Sequence, residues 1–389
     1  MPESLQNSPL LIGIDGRELL PDTFTGFGRY IENFLNAKIT RGSHHRFTIY
    51  GNQHTRFPNA NANYTFKRLE EQNTLWWDQV TIVKAIRQDR IDLFFTPYDK
   101  MPVRSPCPVV MTVHDLLYQY VSDLSGLKKW TYNTLYRMQR GYMARHAARV
   151  LTVSEHSRDD ISRYYNLPPN QIVITHNAVS DRFHAGLDKT TVEDVKKKYK
   201  IPAPYIFNLN NFKPHKNPGG LIEAYAQLPS DLQKQIHLVI GGKHNSFTQP
   251  LQQRVKALGL SDAVHFPGII HDEDLPAIYA GADLFVITSF YEGFGIPPIE
   301  AMASGTPVVS SNATSLPEVI GDAGLLVSPD DVQSLTVAMK EILSDENLRT
   351  TLIQKGLQRI REFTQERVAG KILDALEETA HIALKNEPV

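Results

Sequence analysis

Cysteine is nearly absent from this chain, Cys107 being the only one in 389 residues. A lone thiol closes no intrachain disulfide, which excludes a disulfide-stapled scaffold and favours a reducing compartment; between Pro106 and Pro108 it reads as buried or inert. Long apolar runs are missing too. None approaches the roughly 18 to 20 residues that span a bilayer, and Met1 to Pro9 lacks the basic-then-apolar order of a secretory signal. The expectation is a cytoplasmic protein that touches a membrane at most peripherally, on its inner face. Net charge is also lacking: 41 Lys and Arg against 42 Asp and Glu give a formal charge of -1, which argues against a nucleic-acid partner. Neither solenoid repeats nor low-complexity tracts occur.

What is present is the composition of a soluble globular protein, 41% hydrophobic and 21% charged. One core stops growing at about 250 to 300 residues, so two domains are expected. Short apolar strands alternate with amphipathic helices. In the first half the strands are Leu10 to Ile14, Phe47 to Tyr50, Leu93 to Phe95, Val109 to Val113, Arg149 to Val153 and Ile172 to Ile174. Helical patterns run over Arg29 to Lys38, Leu75 to Ile86 and Leu127 to Ala147, and Ser154 and Ser157 suit the cap of a further helix. From Asn177 to Pro204 the chain turns polar and irregular, which places a link there. The alternation restarts with strands Tyr205 to Leu209, His237 to Ile240, Val264 to Phe266, Leu284 to Thr288 and Pro307 to Ser310. Two doubly wound α/β domains follow, residues 1–180 and 200–370, with a terminal helix, about 370–389, left over to pack back on the first.

In such sheets ligands sit beyond the carboxyl ends of the strands. The segment after Thr288 is rich in suitable groups. Gly293 and Gly295 let the backbone turn and approach a ligand, Pro297 and Pro298 fix the first turn of a helix, and the amides there suit a phosphate or a sugar hydroxyl. Glu292 precedes the turn and Glu300 lies within the helix, so the two carboxylates can address separate parts of one long ligand. After Leu209, the run Asn210 to Asn217 carries Lys213, His215 and Lys216 to a helix start, where a cation can neutralise an anionic ligand. Thr25 to Tyr30, with Gly26 and Gly28, forms another glycine turn, and His114 and Asp115 follow a strand. Asp272, Glu273 and Asp274 precede a helix, where N-capping explains them better than metal binding. Between Leu124 and Ser154 basic residues and aromatics mix without any acid, as on an amphipathic helix with a basic outer face or one laid on an anionic membrane.

Tyr291 to Gly295, Glu300 to Val309 and Ser315 to Val319 closely resemble glycosyltransferase family 4, whose donor signature is a pair of glutamates seven residues apart. The resemblance implies retaining enzymes of the GT-B fold, two Rossmann-like domains facing a central cleft. Carried over, Glu292 would hold the hydroxyls of the transferred sugar and Glu300 the ribose. Gly293 would belong to the donor site, the amides of Phe294, Gly295 and Ile296 would face the sugar and diphosphate, and Lys216 would sit at the family's lysine position. Asn210 stands where much of the family has arginine, a shortfall of charge that Lys213 or His215 could compensate. Gly26 and Gly28 would face the donor phosphates, and His114 the transferred sugar, on domain closure. The openings Ile14 to Arg17 and Thr25 to Tyr30 look most like bacterial mannosyltransferases of surface polysaccharide assembly. The resemblance therefore implies a GDP-mannose donor first and a UDP-hexose second, a glycan or lipid-linked acceptor, no cofactor or metal, and an optional membrane contact through residues 128–149. Two other readings remain: an epimerase of nucleotide sugars, which would convert donor without acceptor, and a binding subunit without turnover.

Overall fold

The computed structural model describes residues 8–20, 26–57, 59–120 and 126–385. The chain divides into two compact units, Met1–Ala178 with Gln365–Val389, and Val179–Thr364.

In the first unit, β1 (Leu11–Asp15), β2 (Arg46–Gly51), β3 (Tyr64–Arg68), β4 (Leu93–Thr96), β5 (Val109–Thr112), β6 (Arg149–Thr152) and β7 (Ile172–Ile174) form one sheet. Their order is β3-β2-β1-β4-β5-β6-β7, and every pairing is parallel. Strands covered on both faces read as apolar runs, as in Leu93 to Phe95 and Val109 to Met111, all of them buried. The sequence pattern does not flag β3, an edge strand that is only half-buried and polar. Helix Gln365–Lys385 completes this unit. The carboxylate of Glu366 accepts the backbone N–H groups of Lys38 and Ile39 at 2.6 and 2.9 Å, satisfying amides that a helix start leaves unpaired. His45 donates through Nε2 to Glu377 (2.7 Å) and accepts the Leu10 N–H at Nδ1 (3.1 Å). Ser154 caps helix Glu155–Tyr165 by accepting from the Ser157 N–H, so Ser157 lies inside that helix rather than at its cap.

In the second unit, β8 (Tyr205–Leu209), β9 (His237–Gly241), β10 (Val264–His265), β11 (Leu284–Ile287), β12 (Val308–Ser311) and β13 (Gly324–Val327) are arranged β10-β9-β8-β11-β12-β13, again parallel. The expected irregular link contains helix Lys189–Tyr199, capped by Asp188 and packed on helix Leu275–Ala280. The chain order reverses between β1 and β4 in one sheet and between β8 and β11 in the other, which are the switch points where open α/β sheets bind ligands. Among the described residues no helix is long and apolar enough to cross a membrane.

Candidate functional site

The loops that leave β8 and β11 flank the switch point of the second unit, and they bring Lys216 and Glu292 together. Lys216 Nζ donates to both carboxylate oxygens of Glu292, at 2.6 and 2.7 Å, and the Ser289 hydroxyl donates to Oε1 at 2.7 Å. Both side chains keep a small exposed fraction, 22% for Lys216 and 11% for Glu292, so the pair borders solvent. Hydroxyl groups hold the backbone in place. Thr288 bonds the carbonyls of Lys216 and Asn217, Thr314 pairs with both the N–H and the carbonyl of Glu292, and Ser315 bridges the carbonyls of Glu292 and Phe294. The Phe290 N–H donates to the His215 carbonyl, a direct tie between the two loops.

Backbone in the left-handed region gathers around this point: Phe212 (φ 58°), Asn217 (φ 50°), Thr314 (φ 53°) and Gly295 (φ 101°). A β-branched threonine there is an outlier that only surrounding bonds can hold. Gly295 precedes helix Ile296–Ala303, and a Cβ on it would meet Leu316 Cδ2 at 2.7 Å. Because Pro297 and Pro298 carry no N–H, the amides offered at this helix start belong to the turn. Among the described residues, the N–H groups of Gly295 and Ile296 have no protein acceptor. Glu300 lies one helix turn further in and is 2% exposed.

In the first unit, Gly26 opens helix Gly26–Asn36, three residues earlier than its pattern suggests, and Gly28 is buried in its first turn. Thr25 of the expected turn lies outside the described residues. Phe27 and Tyr30 of this helix meet the His114 ring edge-on, at centroid distances of 4.8 and 4.9 Å. His114 Nε2 bonds the Pro97 carbonyl at 2.9 Å. A carbonyl only accepts, so Nε2 carries the proton and Nδ1 is left as an acceptor. Burial pushes the imidazole down to about 4, so it is neutral at physiological pH.

Comparison with known proteins accounts for this arrangement. The model for glycosyl transferases group 1 matches residues 191–359, and that for glycosyltransferase family 4 matches residues 24–183. The chain belongs to glycosyltransferase family 4. It is 37% identical over 229 residues to O-antigen chain mannosyltransferase B of Escherichia coli, covering 58% of this chain and 59% of that one. It is 30% identical over 287 residues to the serotype-specific mannosyltransferase WbdA of Escherichia coli, 72% of this chain but 34% of WbdA. The matches thus span less than two thirds of these relatives. In fold it is similar to sucrose-phosphate synthase from Thermosynechococcus elongatus (TM-score 0.76, 20% identity, 96% of this chain and 100% of that one). It is also similar to Anabaena HepE in complex with UDP and glucose (TM-score 0.74, 18% identity, 95% and 100%). Its two Rossmann-like units are those of the GT-B fold.

Within this family 4 chain several expected residues are placed differently from the sequence reading. Asn210 is buried with its amide engaged in the loop: Nδ2 donates to Asn208 and Oδ1 accepts the Phe212 N–H. It staples the segment that carries Lys216. His215 does not supply a cation, because burial and the adjacent Lys216, against the pull of Glu292, lower it to about 4. Lys213 is exposed and keeps that option. Asp274 occupies an N-cap position without capping; its carboxylate takes Lys198 and Tyr199, while Asp272 pairs with Arg182. No cluster of His, Cys, Asp or Glu placed to hold a metal ion occurs among the described residues.

Among the described side chains of helix Gly126–His146, the expected basic outer face keeps Arg137 and Arg145 exposed and loses Arg140 to the interior. Arg140 is buried against Asp99 and Tyr136, Arg145 donates to the Tyr165 carbonyl and Arg149 to that of Asn170. Leu135, Met138 and Tyr142 are the large apolar side chains it exposes among those described, beside the polar Arg137, Gln139 and Arg145. The side chains of Lys128, Lys129, Trp130 and Tyr132 lie outside those described. The hydroxyls of Thr314 and Ser315 are site residues that sequence reasoning passed over. The Ser315 to Val319 match carried the signal without revealing that Ser315 holds the Glu292 loop.

Proposed function

We propose that this chain moves a hexose, mannose from GDP-mannose, onto a glycan or lipid-linked glycan with retention at the anomeric carbon. The observation that carries the reading is the Lys216–Glu292 pair beside the Gly293–Ile296 turn at the second unit's switch point, and the mannosyltransferase relatives support the choice of sugar and of polysaccharide assembly. A lysine ammonium has three N–H donors, of which Glu292 takes two. The third remains for a diphosphate oxygen. Of about four acceptor positions on the Glu292 carboxylate, Lys216 and Ser289 occupy three, which leaves one on Oε2 for a sugar hydroxyl. Glu300 is assigned to the ribose, and the Gly295 and Ile296 amides to the diphosphate at a helix start.

In the proposed step the bond between the anomeric carbon and the phosphate oxygen breaks, and its electron pair leaves with the diphosphate. Lys216 and the amides stabilise that charge. The acceptor hydroxyl attacks the same face, and its proton passes to the departing diphosphate oxygen. We assign no divalent ion to this step, since the lysine and amides take the role of counter-charge; transfer rates that survive EDTA support that assignment and rates restored only by Mg2+ oppose it. His114 is assigned beside the transferred sugar, offering Nδ1 as an acceptor. The apolar stripe of Leu135, Met138 and Tyr142 supports peripheral contact with an anionic membrane, where lipid-linked acceptors reside.

Thermal stabilisation by GDP, UDP and ADP, followed by donor consumption with and without glycan acceptor, tests the reading. GDP-specific stabilisation and acceptor-dependent loss of GDP-mannose are expected. A UDP-specific shift replaces the donor assignment, and donor conversion without acceptor replaces the reaction.

A further inference from the structure

A heavily bonded charge in the first unit, a buried arginine, plays no part in the reaction described above. Arg17 is 8% exposed and follows β1 at the switch point. Its Nη2 donates to Asp15 at 2.8 Å and Asp78 at 2.6 Å, Nη1 to Glu71 at 3.0 Å, and Nε to Asp15 and to the Tyr98 hydroxyl, the latter at 3.0 Å. Its guanidinium also lies over the Trp77 ring, 4.8 Å from the centroid. Three carboxylates on one guanidinium are a poor stability device, since apolar packing of equal volume is often as good or better. Trp77 and Asp78, neighbours in the chain, both meet Arg17. Both sit in a π-turn over Trp77–Thr81, a distortion that tends to occur where function needs it.

The residue before Tyr98 is the one that meets His114. Pro97 presents the carbonyl that accepts the His114 Nε2–H, and Arg140 also holds this loop by donating to the Asp99 carbonyl at 2.6 Å. We propose that Arg17 is a positioning residue for transfer: by holding Tyr98 it sets the Pro97 carbonyl against His114 and so fixes the ring orientation and tautomer that present Nδ1 to the sugar. The proposal rests on the reading that His114 lies beside the transferred hexose. A lysine cannot replace Arg17, because one ammonium cannot span Asp15, Glu71, Asp78 and Tyr98 as the planar fork does.

Tyr98→Phe removes only the hydroxyl, and Arg17→Lys keeps the charge. Both are compared with wild type by 15N NMR of the His114 imidazole, by GDP-induced thermal shift, and by kcat and KM for GDP-mannose. For wild type a single Nε2–H tautomer is expected. For each variant with an unchanged GDP shift, the expectation is mixed tautomers and a kcat about 10- to 100-fold lower. Donor KM should stay within about twofold. A folded Tyr98→Phe protein with wild-type imidazole resonances and wild-type kcat overturns the proposal. Wild-type turnover by His114→Ala sinks the underlying reading alone, and the Tyr98→Phe spectra then still decide whether Arg17 holds the ring.

Discussion

The ammonium of Lys216 is held symmetrically by Glu292, 2.6 Å from one carboxylate oxygen and 2.7 Å from the other. Each residue therefore sets the other's position before any ligand arrives. The pair carries no net charge, while the lysine keeps a third N–H donor and the carboxylate an acceptor position on Oε2. Lys216→Met and Glu292→Gln should each lower kcat by about 100- to 1,000-fold. In a double-mutant cycle read by urea unfolding, the two should couple by about 1 to 3 kcal/mol. Additive stability losses would mean that the contact has no energetic part in holding the loops.

Gly295 combines a φ of 101° with a wall at Leu316. Gly295→Ala is expected to cost about 1 to 3 kcal/mol and to weaken GDP binding, since relief requires the turn to move. Unfolding midpoints and the GDP thermal shift check both parts. An alanine variant with full stability and binding would show that the turn is not constrained there.

The buried His215 links stability to pH. Its folded pKa of about 4 lies below the 6.5 of the free side chain, so as acidity rises the unfolded chain takes up the proton first. The stabilisation is complete above pH 6.5 and is lost as pH falls from 6.5 through 4. Relative to His215→Gln, wild type should lose about 2 kcal/mol between pH 7.5 and pH 5. Parallel profiles from urea unfolding would refute this.

Membrane contact makes a separate demand on the exposed side chains of helix Gly126–His146. Wild type should float with vesicles rich in phosphatidylglycerol, and changing Leu135, Met138 and Tyr142 together to serine should abolish flotation. Exposed positions of this kind shift stability by no more than about 0.5 kcal/mol each, so loss of binding would not be loss of fold. Flotation that persists in the triple variant would move the contact elsewhere.

Much of this architecture was legible because parallel strands buried on both faces announce themselves as apolar runs between helical patterns. Glu292, Gly295 and Glu300 were legible because a short local motif carries them. The strand β3 was hidden by its polar, half-exposed edge position. Helix Lys189–Tyr199 was obscured by its lysine run, although Asp188 followed by Val192, Val195 and Tyr199 spells a capped helix with one apolar stripe. The Arg17 cluster could not be read at all: Glu71, Asp78 and Tyr98 lie 54, 61 and 81 positions away, and only folding brings them together. His215 misled for a related reason, since a basic letter says nothing about desolvation.

The return of residues 365–385 to the first unit gives synthesis an order. A ribosome releases all of Val179–Thr364 before the segment that supplies Glu366 and Glu377. The first-made half therefore waits for the last-made helix, with the amides of Lys38 and Ile39 and the ring of His45 lacking their partners meanwhile. For anyone dissecting the protein, 179–364 is a contiguous piece to express, whereas 1–178 requires its distant helix to be spliced on.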